Sequence, residues 1–200
     1  MAFEQRGKSG GSRKRSSGFS SSRGDSDESA DAKPEREKKP PTPERLEQRA
    51  RNVLLHQLAR SAKSTHQLRK ILEQREIPSE IAERVLVRFT EVGLIDDQAY
   101  AETIVNSRRN FKGLSKSAIK RELNEKGVPA PFIEQAIESI TVEDDLAAAQ
   151  DLAARRIRQM STLAKDVRER RLAGYLGRKG YPSSVVFAAI RFAESQLELD

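Results

Sequence analysis

One pattern recurs three times in this chain, and it constrains the fold more than any other feature. The segments STHQLRKILEQREIPSEIAERVLVRF from residue 64, SKSAIKRELNEKGVPAPFIEQAIESI from 115 and VRERRLAGYLGRKGYPSSVVFAAIRF from 167 carry the same apolar positions. Leu68, Ile119 and Leu172 correspond, then Leu72, Leu123 and Leu176; the offsets are 51 residues (68 to 119) and 53 residues (119 to 172). Ile77, Val128 and Tyr181 each stand before a proline, Pro78, Pro129 or Pro182. Beyond the prolines Ile81, Phe132 and Val185 correspond, and then Leu86, Ile137 and Ile190. Repetition on this scale is the signature of an array whose units bury their apolar faces against each other.

Each block reads as two helices around a turn. The first helix ends at Glu76, Gly127 or Gly180, where glycine takes the left-handed conformation at little cost. An apolar residue follows and packs back on the helix. Proline then opens the second helix, where its missing N–H removes nothing. A further amphipathic helix precedes each block, at about 44–60, 97–109 and 143–160. In PERLEQRARNVLLHQLAR, for example, Leu46, Ala50, Val53, Leu54 and Leu58 form one stripe of a 3.6-residue period, with Thr42 as N-cap and Pro43 in the first turn. No stretch alternates with period two. The expected fold is all-α: three tandem three-helix repeats at residues 44–92, 93–142 and 143–200, in an elongated array. Units of this size are marginal alone and need their neighbours.

Residues 1–43 differ in kind. They are rich in Ser, Gly, Lys, Arg, Glu and Pro, too poor in apolar surface to offset ordering entropy, and are expected to be a disordered basic tail. GKSGGS within them lacks the first glycine of a phosphate loop, since Ala2 stands there, and lacks a preceding strand.

The chain has no Cys, which excludes disulfides, thiolate nucleophiles and Cys-ligated zinc. No apolar run reaches the roughly 20 residues of a membrane span, and the amino terminus lacks the apolar core of a secretory signal. A cytoplasmic, monomeric protein is expected. The formal net charge is +7, which favours a polyanionic or acidic partner.

In GLIDDQAYAETIVNSRRNFKG, from residue 93, two carboxylates precede an apolar stripe of Tyr100, Ala101, Ile104 and Val105. Asp96 fits a helix N-cap, worth ~1 kcal/mol, and Asp97 the first turn, where it complements the helix dipole. Asp144 and Asp145 read as another helix start. His56 and His66 stand apart from other ligand-type residues. No catalytic or metal-binding spacing is recognisable, so no enzyme, cofactor or metal is expected.

The bases form three sets. Arg108, Arg109, Lys112, Lys116, Lys120 and Arg121 surround a loop between two helices; Lys116 and Lys120 share a face opposite Ile119 and Leu123. Arg155, Arg156 and Arg158 form the second set. Arg168, Arg171, Tyr175 and Arg178 form a stripe on one helix, with an aromatic inside it. The first and third sets are the candidate partner- or DNA-binding residues. Arg75, Lys126 and Lys179, at equivalent helix ends, are explained by the helix dipole.

GLIDDQAYAETIVNSRR followed by GLSKSAIKRELNEKGV resembles the central motif of the bacterial RecX regulatory proteins, and the flanking repeats extend the likeness over about residues 45–195. The resemblance implies a three-repeat helical modulator of the RecA recombinase, without enzymatic activity or cofactor. Such a protein lies in the groove of the RecA–single-stranded DNA filament and inhibits ATP hydrolysis, strand exchange and filament extension. That places it in homologous recombination, DNA repair and the SOS response. The alternative is a helical module that acts on nucleic acid directly, without RecA.

Overall fold

The structure, a computed structural model, describes residues 42–198. The tail expected over residues 1–43 falls outside the described residues save for its last two. All regular structure among the described residues is helical. The first repeat contains α1 (Pro43–Leu58), α2 (Thr65–Gln74) and α3 (Ser79–Glu91). The second contains α4 (Asp97–Ser107), which runs into a π-helical turn (Arg108–Lys112), then α5 (Lys116–Glu125) and α6 (Ala130–Ile137). The third contains α7 (Val142–Arg158), α8 (Lys165–Arg178) and α9 (Ser183–Leu197).

The turns between second and third helices follow one chemistry. Glu76, Gly127 and Gly180 have φ of 57, 68 and 85°. The next residue sends its N–H back to the helix it left: Ile77 to Leu72 O, Val128 to Leu123 O and Tyr181 to Leu176 O. This is the Schellman closure, in which an apolar residue also folds onto the helix end. Ile77, Val128 and Tyr181 are accordingly buried.

Each repeat owns a core. Ala50, Leu54, Leu68, Leu72 and Leu86 build the first, with Ile95 packed into it. Tyr100, Ala101, Ile119, Leu123 and Ile137 build the second. Ala149, Ala153, Leu172, Leu176 and Ala189 build the third. The alanines Ala149, Ala153 and Ala189 are fully buried and allow α7 and α9 a close approach.

The repeats meet at a joint that occurs twice with the same parts. Ser64 caps α2 by accepting the Gln67 N–H, and its hydroxyl donates to Lys126 O, 2.5 Å away at the end of α5. Ser115 caps α5 by accepting the Ala118 N–H and donates to Gly180 O, 2.7 Å away just past α8. Both serines are fully buried. The carbonyl end of one helix dipole thus meets the amide end of the next, a favourable alignment. Glycine is needed here for space as well as for φ. A Cβ on Gly127 would lie 2.3 Å from the His66 ring, and one on Gly180 would lie 2.6 Å from Ala118 Cβ. The corresponding turn of the first repeat, against which no other repeat packs among the described residues, carries Glu76 instead.

A candidate partner interface on the second and third repeats

The adjacent carboxylates divide their work. Asp96 caps α4 by accepting the Ala99 N–H at 2.9 Å. Asp97 turns outward from its own helix and accepts the Thr65 N–H at 2.8 Å, at the start of α2 in the preceding repeat. Asp145 repeats this one step along: it accepts the Lys116 N–H, at 3.3 and 3.2 Å to its two oxygens, and pairs with Arg109. The carboxylates that begin the first helices therefore stitch each repeat to the one before. Among the described residues, no group of three or more His, Asp or Glu is placed to hold a metal ion.

Several of the candidate cations are occupied internally. Arg108 grips Glu122 through Nε at 2.7 Å and Nη2 at 2.6 Å, with both side chains mostly buried. Their hydrogen bond raises the Arg108 pKa and lowers that of Glu122. Arg109 lies against Asp145 and also donates to Leu114 O. Lys116 Nζ donates to Ile140 O at 2.7 Å, and Lys120 pairs with Glu134 at 2.6 Å. Arg121 is exposed, 4.0 Å from Glu125. Arg168 leaves the expected stripe: it turns inward to Glu194, at 2.6 and 3.1 Å, and to Leu163 O. That hydrogen bond to Glu194 raises its pKa.

The remaining cations gather around Tyr175. A depression of about 380 Å³ is lined by Arg156, Arg170, Arg171 and Arg178 beside Gly174 and the Tyr175 ring, with no carboxylate in its wall. Arg170, Arg171 and Arg178 are exposed and lack an ion-pair partner among the described residues. Arg156 stands over the Tyr175 ring, 5.7 Å from its centroid, and Lys179 Nζ lies 5.2 Å from it. A second depression of about 630 Å³ shares Arg156, Gln159 and Tyr175 with the first and continues to Arg155, Lys179, Lys112 and Phe111. Phe111 is 87% exposed on the π-helical turn. The carboxylate in this second depression is Asp151, paired with Arg155 at 2.7 Å. In the sequence the helix dipole alone explains Lys179, and nothing signals a partner-facing role for Phe111 or Arg170.

The repeat offsets explain why charge accumulates here. Arg69–Glu83 in the first repeat and Lys120–Glu134 in the second are the same inter-helix ion pair, 51 residues apart. At the third repeat those positions hold Ala173 and Phe187. Glu122, which neutralises Arg108, corresponds to Tyr175, and Tyr175 takes Arg156 on its face instead. In the third repeat the first pair is lost whole, cation and carboxylate together, while the second loses its carboxylate and keeps its cation.

Comparison with known proteins agrees with this architecture. The first three-helix domain of RecX matches residues 50–89, the second matches 96–137 and the third matches 143–190. The chain is 43% identical over 157 residues to the regulatory protein RecX of Streptomyces coelicolor, covering 78% of this chain and 83% of that one. This chain belongs to the RecX family. The RecX of Thermobifida fusca is 38% identical over 149 residues, covering 74% and 80%. The crystal structure of RecX from Lactobacillus salivarius superposes with a TM-score of 0.64 at 19% identity, covering 78% of this chain and 98% of that one, a likeness of fold. A second RecX crystal structure gives 0.61 at 26% identity, covering 72% and 70%. The relatives are named as regulatory proteins, and the chain's role is regulatory. No helix among the described residues is long and apolar enough to cross a membrane.

Proposed function

We propose that this chain regulates the RecA recombinase by lying against the RecA–single-stranded DNA filament. There it restrains ATP hydrolysis, strand exchange and filament extension during recombination and DNA repair. It acts as a cytoplasmic monomer and catalyses nothing itself. Membership of the RecX family supports the regulatory half of this reading. The surface half rests on one observation: the arginines around Tyr175 line a depression with no carboxylate. Clustered like charges repel, and the arrangement suits a face whose balancing charge comes from a partner.

The occupied arginines have a different task. Arg108, Arg109 and Arg168 hold helices and repeats together, so they shape the face without meeting the partner. Lys112, Arg171, Tyr175 and Arg178 are the candidates that meet it, joined by Arg155, Arg156, Arg170 and Lys179.

A helical nucleic-acid-binding module acting without RecA is the second reading, favoured by the same charge. RecA's DNA-dependent ATPase separates the two. Inhibition well below the concentration that coats the DNA is the outcome expected of a filament regulator. Inhibition that appears only as the DNA becomes saturated overturns it in favour of the second reading.

A further inference from the structure

The repeat joint has a third copy of its receiving end, and no repeat among the described residues docks there. In the first repeat that end is Ser64, His66 and Gln67, which meet the Gly127 turn. In the second it is Ser115, Ser117 and Ala118, which meet the Gly180 turn; both hydroxyls donate to Gly180 O. The corresponding residues of the third repeat are Arg168, Arg170 and Arg171. Where the first two repeats place serine, histidine, glutamine and alanine, the third places three guanidinium groups. Arg168 closes inward on Glu194, while Arg170 and Arg171 stay exposed in the depression beside Arg156 and Arg178.

Two physical features narrow what this end can bind. The guanidinium fork matches the paired oxygens of a phosphate or carboxylate, so the four arginines suit an anion with several such groups. The second depression, joined to the first through Arg156, Gln159 and Tyr175, is also lined by Phe111, and its one carboxylate, Asp151, is paired with Arg155. Phe111 is 87% exposed and sits in the π-helical turn. A free aromatic face along a cationic track is the arrangement that holds unpaired bases by stacking and their phosphates by charge. An acidic protein surface needs no such ring, and a duplex offers no base face to it.

We infer that the terminal joint face of the third repeat is a single-strand phosphodiester site, with Arg156, Arg170, Arg171 and Arg178 on the phosphates and Phe111 stacked on a base. This rests on the reading that the same face meets the RecA filament, and adds that it reaches the strand itself.

Anisotropy of a labelled oligothymidylate of about 16 nucleotides, titrated with the full chain over a range of salt, tests it. Arg170→Ala/Arg171→Ala/Arg178→Ala lowers the slope of log K against log salt by about 2, at roughly 0.7 per lost single-strand phosphate contact. Phe111→Ala weakens single-strand binding about tenfold and leaves the slope unchanged. All these side chains are exposed, and unchanged thermal unfolding verifies that the variants fold. An unaltered slope in the triple variant overturns the site. So does a Phe111→Ala variant that binds like the parent, a duplex that binds as tightly as the single strand, or a poly-glutamate peptide that competes equally well. A parent chain that binds the oligonucleotide as described and fails to inhibit RecA's ATPase sinks the filament reading and leaves the site standing. Inhibition with an unaltered slope does the reverse.

Discussion

The hydroxyl of Ser115 lies 2.7 Å from the carbonyl oxygen of Gly180, 65 residues away, and both belong to turns that also serve their own helices. Ser115 caps α5 while it fastens the end of α8. The same arrangement binds Ser64 to Lys126 O, so one small contact, used twice, sets how successive repeats stack.

Gly127 and Glu76 occupy the same turn in different repeats and respond oppositely to substitution. Gly127→Ala meets positive φ and the His66 ring together, and loses about 2 kcal/mol or more. Glu76→Gly relieves positive φ where no other repeat packs among the described residues, and gains about 0.5–1 kcal/mol. Urea unfolding of the two single variants measures both signs.

The arginines separate into those that hold the fold and those that face outward. Arg109→Ala strands the buried Asp145 carboxylate and costs about 3 kcal/mol. Arg171→Ala removes an exposed, unpaired side chain and stays within about 0.5 kcal/mol. The same unfolding measurement distinguishes them.

Glu122 and Tyr181 are among the groups that give the stability a pH dependence. Hydrogen bonding to Arg108 lowers the folded-state pKa of Glu122. Its stabilisation is present above the ordinary carboxylate pKa and is lost as pH falls through the lowered one. Glu122→Gln therefore flattens the acid arm of a stability–pH curve. Burial pushes the Tyr181 phenol up to about 12. Unfolded tyrosine ionises near 10, so stability declines from about pH 10 upward; burial raises the Tyr100 pKa as well, so Tyr181→Phe lessens that decline and leaves the part due to Tyr100.

Much of the fold was legible because repetition multiplies a weak signal. The prolines after Ile77, Val128 and Tyr181 and the leucines before them marked the same two helices three times. The π-helical turn at Arg108–Lys112 was not legible, since the sequence reading ended that helix near 109 and nothing in RRNFK signals the wider hydrogen bonding. The site was legible as composition and less so as geometry. Arg168 lies in register with Arg171 and Arg178 along the helix, and only its proximity to Glu194, 26 residues on, shows that it points inward. Comparing the three repeats position by position for a carboxylate lost without its cation, at Tyr175, was the signal that could have found the uncompensated charge.

Inhibition of RecA's DNA-dependent ATPase by charge-reversed variants tests the central claim most directly. Arg170→Glu/Arg171→Glu raises the concentration for half inhibition by more than about tenfold, because like charge then faces the partner. Lys120→Glu/Glu134→Lys, which exchanges an internal ion pair on the second repeat, leaves it within about twofold. Equal loss in both variants, or none in the first, contradicts the assignment of the third repeat's arginine face as the docking surface.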